Sequence, residues 1–132
     1  MFTLDRQFEK DCFLVKELTL SKLLLMNDSN YHWFILVPKK ENLVELIDLD
    51  SADQAVLLQE INQLSQILKN EFACDKVNIA TLGNVVKQLH IHVVGRFSND
   101  ISFPKPVWGA APAKPYDQET ASNLITKIKD LI

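Results

Sequence analysis

One long amphipathic segment, residues 50–72, constrains the fold of this 132-residue chain more than any other feature. Ser51 and Gln54 fit a capping box, in which side chains satisfy the free backbone N–H groups at a helix start. Beyond them, apolar residues recur at helical spacing, at Leu57, Leu58, Ile61, Leu64, Ile67 and Leu68. The sequence therefore predicts an amphipathic helix over residues 50–72, which must lie on an apolar surface.

Strand patterns flank this helix on both sides. Aromatic, β-branched and leucine-rich runs predict five strands, at residues 13–15, 18–26, 31–37, 76–82 and 85–94. The polar cluster at residues 27–30 predicts a turn between the second and third strands, and Pro38 ends the third. Gly83 and Asn84 predict a turn between the last two strands, which makes them a hairpin.

Two further helices complete the prediction, at residues 4–12 and 117–131. Together these elements predict an α+β fold, in which one long helix packs on an antiparallel five-stranded sheet and a C-terminal helix follows. A chain of this length has room for one core, so we expect residues 1–132 to form a single domain. The edges of so small a sheet need cover, which favours a dimer.

Composition excludes several classes of protein. The net charge is −3, from 14 basic and 17 acidic residues, which argues against a nucleic acid polymer as partner but allows one small phosphorylated ligand. The first residues lack the regions of a signal peptide, and no apolar stretch approaches the roughly 20 residues that span a membrane. Two cysteines are too few for a disulfide scaffold. We therefore expect a cytoplasmic protein that does not bind membranes.

The residues that can carry chemistry are concentrated in the last predicted strand. Alternate side chains share one face of a strand, so Gln88, His90 and His92 are predicted to point one way. Two neighbouring imidazoles offer a nucleophile and a proton donor side by side. A half-exposed strand without chemistry and a metal-dependent enzyme that uses both histidines are the alternatives. A metal needs more ligands, yet His32 is the only other histidine in the chain.

The segment Gln88-Leu89-His90-Ile91-His92-Val93-Val94 resembles the histidine triad (HIT) signature, in which three histidines alternate with apolar residues. The resemblance extends over about residues 13–108, because the Gly-containing approach to this strand, an earlier strand that ends in Pro, and the long helix are also similar. It implies a HIT-like fold, a homodimer, and a protein that acts at the α-phosphate of a nucleotide without a metal or other cofactor.

The resemblance also implies roles within the triad. His90 takes the place of the nucleophilic middle histidine, which would form a nucleotidyl-histidine intermediate with a phosphoramidate or a dinucleoside polyphosphate. A neutral imidazole is a competent nucleophile, and His92 can donate to an oxygen where charge develops. Gln88 replaces the first histidine, which supports the other two by hydrogen bonding. Val85 stands where many members have a Ser or Thr that contacts the phosphate. A nucleotide-binding protein with little or no catalysis is therefore a further alternative.

Seven residues outside the triad are candidates for substrate binding, namely Asn27, Asp28, Asn78, Gly83, Asn84, Arg96 and Trp108. Asn78 lies where the family has an Asn that contacts the phosphate, and Asn27 or Asp28 where it has an acceptor for ribose hydroxyls. Each also has a simpler interpretation, as a polar strand residue or as part of an ordinary turn.

The remaining candidates lie around the triad strand. Backbone N–H groups near Gly83 and Asn84 can hold a phosphate without a lysine-rich patch. Trp108 resembles a Trp that caps the site in some members, and it can equally be a core or dimer contact. Arg96 can reach a phosphate, although an exposed salt bridge is the simpler expectation. Trp33 stands at the strand start where the family has a histidine, and we expect it to pack there or to line the base pocket.

Overall fold

The computed structural model describes residues 1–132 and is built around a five-stranded antiparallel sheet. The strands are β1 (Cys12–Glu17), β2 (Ser21–Met26), β3 (His32–Pro38), β4 (Lys76–Ala80) and β5 (Ile91–Arg96). Their spatial order is β1-β2-β3-β5-β4, so β1 and β4 are the edge strands. The predicted α+β fold with a five-stranded antiparallel sheet is confirmed.

Three helices pack on this sheet. They are α1 (Arg6–Asp11), α2 (Ser51–Asn70) and α3 (Gln118–Leu131), with a single 3₁₀ turn at Leu46–Asp48. α2 and α3 cover one face, where Leu64 and Ile128 are fully buried, and α1 adds Phe8 to the opposite face. No helix combines the length and the hydropathy that a membrane crossing requires.

The start of α2 differs by one residue from its prediction. Asp50, and not Ser51, is the N-cap, and its carboxylate accepts a hydrogen bond of 2.8 Å from the backbone N–H of Asp53. Gln54 does not close a capping box, because its side-chain amide donates to the Leu49 carbonyl instead. The short Asp side chain on an extended residue therefore starts the helix.

The central strands β3 and β5 are buried on both faces. Phe34 of β3 and Val93 of β5 point towards α2, whereas Ile35 and Val94 point to the opposite face. The alternation places His92 on the face that lies away from α2. The close approach of α2 depends on Gly95, because a Cβ there would lie 3.2 Å from a methyl group of Leu68.

The last strand begins later than its sequence pattern predicts. β5 starts at Ile91 and residues 81–90 form a loop, so the prediction of a strand from residue 85 was wrong. The Thr81 hydroxyl donates to the His90 carbonyl across 2.7 Å and closes the two ends of this loop. Gly83 has a φ of +70°, a conformation that turns the chain out of the sheet and that glycine adopts without strain.

Candidate active site

The two histidines of the triad segment lie side by side at the start of β5. Their ring centroids are 4.9 Å apart with an interplanar angle of 70°. The residues are only 6% and 5% exposed for His90 and His92 respectively. The predicted pairing of two imidazoles is therefore present, although His90 belongs to the end of the loop and only His92 to the strand.

Hydrogen bonds fix the two rings in opposite tautomers. His90 Nδ1 lies 2.7 Å from the carbonyl oxygen of Gln88, so Nδ1 carries the proton and Nε2 a free lone pair. His92 Nδ1 lies 3.0 Å from the indole nitrogen of Trp33, which can only donate. His92 therefore accepts at Nδ1 and carries its proton on Nε2. The site thus pairs a nucleophilic nitrogen with a hydrogen-bond donor.

Burial keeps both imidazoles neutral near pH 7. Burial, and to a lesser extent the neighbouring His90, lower the pKa of His92 to about 4. Burial also lowers the pKa of His90, while the Gln88 carbonyl and the negative charge of Asp5 oppose that effect. A neutral His90 is required for nucleophilic attack, so the electrostatics agree with the hydrogen bonds.

A pocket of about 460 Å³ adjoins the histidines through two tryptophans. Trp33 and Trp108 both line it, and their rings pack against His92 with centroids 5.8 and 5.0 Å away. Asn27 and Asp28 line the same pocket. The structure thus brings three of the predicted substrate-binding residues together beside the histidine pair.

Backbone N–H groups donate hydrogen bonds to Asn27 and Asp28, two polar residues of this pocket. Asp28 is 4% exposed, and its Oδ1 accepts from the N–H groups of Asn30 and Lys114, which leaves Oδ2 for a ligand. Asn27 Oδ1 accepts from the N–H of Tyr116 at 2.8 Å, so its amide nitrogen remains available as a donor. Both side chains therefore have fixed orientations with one free polar atom.

Comparison with known proteins identifies the family. A model of the HIT domain matches residues 7–99. The chain belongs to the HIT domain family.

Solved structures agree with this assignment along almost the whole chain. Histidine triad proteins from Bradyrhizobium japonicum, Sinorhizobium meliloti and Marinobacter aquaeolei each superpose with a TM-score of 0.96 and are 40%, 38% and 38% identical to this chain. Each alignment covers 99% of this chain, and 98%, 97% and 96% of the respective neighbour. No curated protein matches the sequence. Members of the family bind nucleotides and act on nucleoside phosphates.

The first triad position of this HIT domain differs from its expected role. The Gln88 side chain makes no hydrogen bond to either histidine, so the expectation of side-chain support was wrong. Its amide binds the backbone of Thr3 and Asp5 in the N-terminal arm, which we define as residues 1–11. The main-chain carbonyl of Gln88, and not its side chain, accepts the hydrogen bond from His90 Nδ1. These partners lie more than 80 residues away in sequence, and no local pattern indicates them.

The sequence pattern does not indicate that the arm forms part of the site. Phe8 of α1 meets the His90 ring edge to face, with centroids 4.8 Å apart, and Lys10 and Asp11 line the pocket. The sequence indicates only that a short helix is present and that Phe8 is its apolar residue. Which surface this helix covers depends on the tertiary fold.

Arg96 is a structural residue of this HIT domain. It is 1% exposed, and its guanidinium donates to both carboxylate oxygens of Asp100, at 2.8 and 3.1 Å. The rings of Tyr31 and Phe103 lie on it with centroids 5.5 Å from the guanidinium carbon. The salt bridge is buried, so the expectation of an exposed one was wrong. The guanidinium donates to protein groups through all three of its nitrogen atoms. Asn78 is bound to it, because Arg96 Nη1 donates to its Oδ1 at 3.0 Å.

The two turn candidates lie in the 81–90 loop and do not line the pocket. Gly83 is half-buried and Asn84 is exposed. The backbone N–H groups of residues 82–88 have no backbone acceptor, because the loop is not part of the sheet ladder. The structure contains no set of ligands for the metal-dependent alternative. No three His, Cys, Asp or Glu side chains lie close enough together to hold a metal ion.

Proposed function

We propose that this HIT domain protein cleaves a nucleoside phosphate derivative at its α-phosphate, by hydrolysis or transfer, through a nucleotidyl-histidine intermediate on His90. The observation that carries the proposal is the pair of opposite tautomers, with a free lone pair on His90 Nε2 beside a proton on His92 Nε2. Displacement at phosphorus requires a nucleophile and a donor to the oxygen that gains charge.

The reaction proceeds in two displacements. In the first, the His90 Nε2 lone pair forms a bond to the α-phosphorus, and the leaving group departs with the electron pair of its own bond and takes a proton from solvent. His92 donates its Nε2–H to a non-bridging oxygen, and the Gln88 carbonyl stabilises the charge on the His90 ring. In the second, water attacks phosphorus and loses a proton to solvent, and the electron pair of the P–N bond returns to His90.

Nucleoside and phosphate are bound by different parts of the site in this proposal. Asp28 Oδ2 accepts from ribose hydroxyls, the Asn27 amide donates to the nucleoside, and Trp108 closes the pocket beside the base. The free N–H groups of residues 82–88 hold the phosphate oxygens. Asn78 contributes through its amide nitrogen, because its oxygen is bound to Arg96.

A binding protein with little or no catalysis is the second candidate, and Val85 is the observation that favours it. Val85 is 92% exposed and has no hydroxyl to assist a leaving group. Assistance must come from loop N–H groups or from the exposed Lys87, or the substrate must have a good leaving group.

Hydrolysis assays separate the two candidates. The protein is incubated with a panel of nucleoside phosphoramidates and dinucleoside polyphosphates, and nucleoside monophosphate release is followed by chromatography. We expect turnover that falls by roughly 10³-fold or more in His90→Ala. His32→Gln is the matched control, because His32 packs between Phe72 and Phe97. Binding of a nucleoside monophosphate without turnover of any panel member would favour the binding protein. Turnover that survives His90→Ala would exclude His90 as nucleophile.

We also propose that the protein is a cytoplasmic homodimer. β4 is an edge strand, and its Ile79 side chain is about half exposed, so this edge is suited to pairing with a second copy. Light scattering coupled to size-exclusion chromatography should give twice the chain mass of 15.1 kDa. A mass of 15.1 kDa at micromolar concentration would contradict the dimer.

A further inference from the structure

The side chain of Gln88 faces the arm and not the histidines. Its amide nitrogen donates to the Thr3 carbonyl at 2.8 Å, and its amide oxygen accepts from the Asp5 N–H at 2.9 Å. An amide presents a donor and an acceptor in one plane, which suits two groups of one backbone segment. The residue in the first triad position therefore holds the arm on the body of the protein.

The held segment leads directly to the nucleophile. Asp5 is the N-cap of α1, because its carboxylate accepts from the Gln7 N–H at 2.8 Å. α1 then buries Phe8, whose ring meets the His90 ring at 72° with centroids 4.8 Å apart. Continuous contacts therefore run from Gln88 through Asp5 and α1 to Phe8 and His90.

We propose that Gln88 is a positioning residue, which holds the arm so that Phe8 keeps the His90 ring in the orientation that attack requires. The same segment forms part of the pocket wall through Lys10 and Asp11. The kinetic consequence rests on the function proposed above. The contact itself is measurable without any substrate, so the two proposals can fail separately.

Amide exchange measures the contact directly. In full-length ¹⁵N-labelled protein, the Asp5 N–H is protected by Gln88 Oε1, and Gln88→Met removes both hydrogen bonds at nearly constant volume. We expect exchange at Asp5 to accelerate roughly tenfold, and the His90 Hε1 signal to shift as Phe8 moves. Gln88→Glu keeps the acceptor and loses the donor, so it should give an intermediate rate. Gln66→Met, an exposed glutamine of α2, is the matched control.

Kinetics measure the positioning. With the phosphoramidate that the wild type cleaves fastest, Gln88→Met and Phe8→Leu should each lower kcat by roughly fivefold to tenfold, with a smaller change in KM. Because Gln88 acts through Phe8, the double variant should be no slower than the slower single variant. Gln66→Met should match the wild type in both constants.

Each outcome decides the proposal. Faster Asp5 exchange with a shifted His90 signal and non-additive losses in kcat supports it. Unchanged Asp5 exchange in Gln88→Met, or unchanged kcat despite faster exchange, overturns it, and so do fully additive losses. If the wild type cleaves no substrate, the proposed function fails, and an unshifted His90 signal in Gln88→Met still overturns the positioning role.

Discussion

Trp33 donates its indole N–H to Nδ1 of His92 across 3.0 Å, and this bond determines which nitrogen of His92 carries the proton. Trp33 stands where the resemblance places a family histidine, at the start of β3, and β3 pairs directly with β5. The bond is buried, so water cannot replace it readily. One side chain on the neighbouring strand thus sets the chemistry of the site.

Trp33→Phe should lower kcat roughly tenfold to a hundredfold, because it removes the donor that keeps the His92 proton on Nε2. KM should change little. Trp108→Phe is the matched control: Trp108 packs on the same imidazole but makes no hydrogen bond to it. That variant should raise KM and leave kcat near the wild-type value. Steady-state kinetics of both variants test this, and an equal fall in kcat would contradict the assigned tautomer.

The acid limb of kcat/KM should lie below pH 6.5. Burial lowers the pKa of His90 from its ordinary value of 6.5, so the ring keeps its lone pair at a pH where an exposed imidazole is protonated. The charge of Asp5 opposes this shift, and Asp5→Asn should therefore move the limb to still lower pH. A pH–rate profile of both proteins checks the direction. An acid limb at or above pH 6.5 would contradict a buried neutral nucleophile.

His92 should make the protein less stable as pH falls from about 6.5 towards 4. Its pKa is about 4 in the folded state and about 6.5 in the unfolded chain, so in this window the unfolded chain binds a proton that the folded protein does not. Above 6.5 both states are neutral, and below 4 both are protonated. As pH falls from 7.5 to 4.5, the protonation of this one group should lower the free energy of unfolding by about 2.5 kcal/mol. Urea unfolding of the wild type and His92→Gln should differ by that amount in pH dependence, and parallel curves would contradict it.

Arg96→Met should destabilise the fold by about 3–5 kcal/mol, because it leaves the Asp100 carboxylate buried without its partner. Burial favours the neutral form of Asp100, yet the hydrogen bonds from Arg96 and from backbone N–H groups outweigh it and lower the pKa of this carboxyl. Arg6, the only other arginine, is exposed, and Arg6→Met should change the free energy of unfolding little. Similar urea midpoints for the two variants would show that the Arg96 pair contributes nothing.

Periodicity was sufficient to predict the sheet, the long helix and the pairing of His90 with His92, because these features repeat over a few residues. The periodicity placed the start of β5 too early, because residues 85–90 alternate like a strand. In the structure the Gln88 side chain binds the arm and its carbonyl binds the His90 ring, so neither takes part in a strand. The contacts of Gln88 with the arm span 83 and 85 residues of sequence. Such contacts depend on the assembled fold, and so does the burial of Arg96 beneath two aromatic rings.

The most direct test of a covalent nucleotidyl intermediate is mass spectrometry of a reaction quenched in base, where a phosphorus–nitrogen bond to histidine persists. The protein is mixed with a cleavable nucleoside phosphoramidate for less than one turnover, digested, and the modified peptide is sequenced. We predict a nucleoside monophosphate adduct on His90, and its absence in His90→Ala. An adduct on His92, or full turnover with no adduct at any time point, would contradict nucleophilic catalysis by His90.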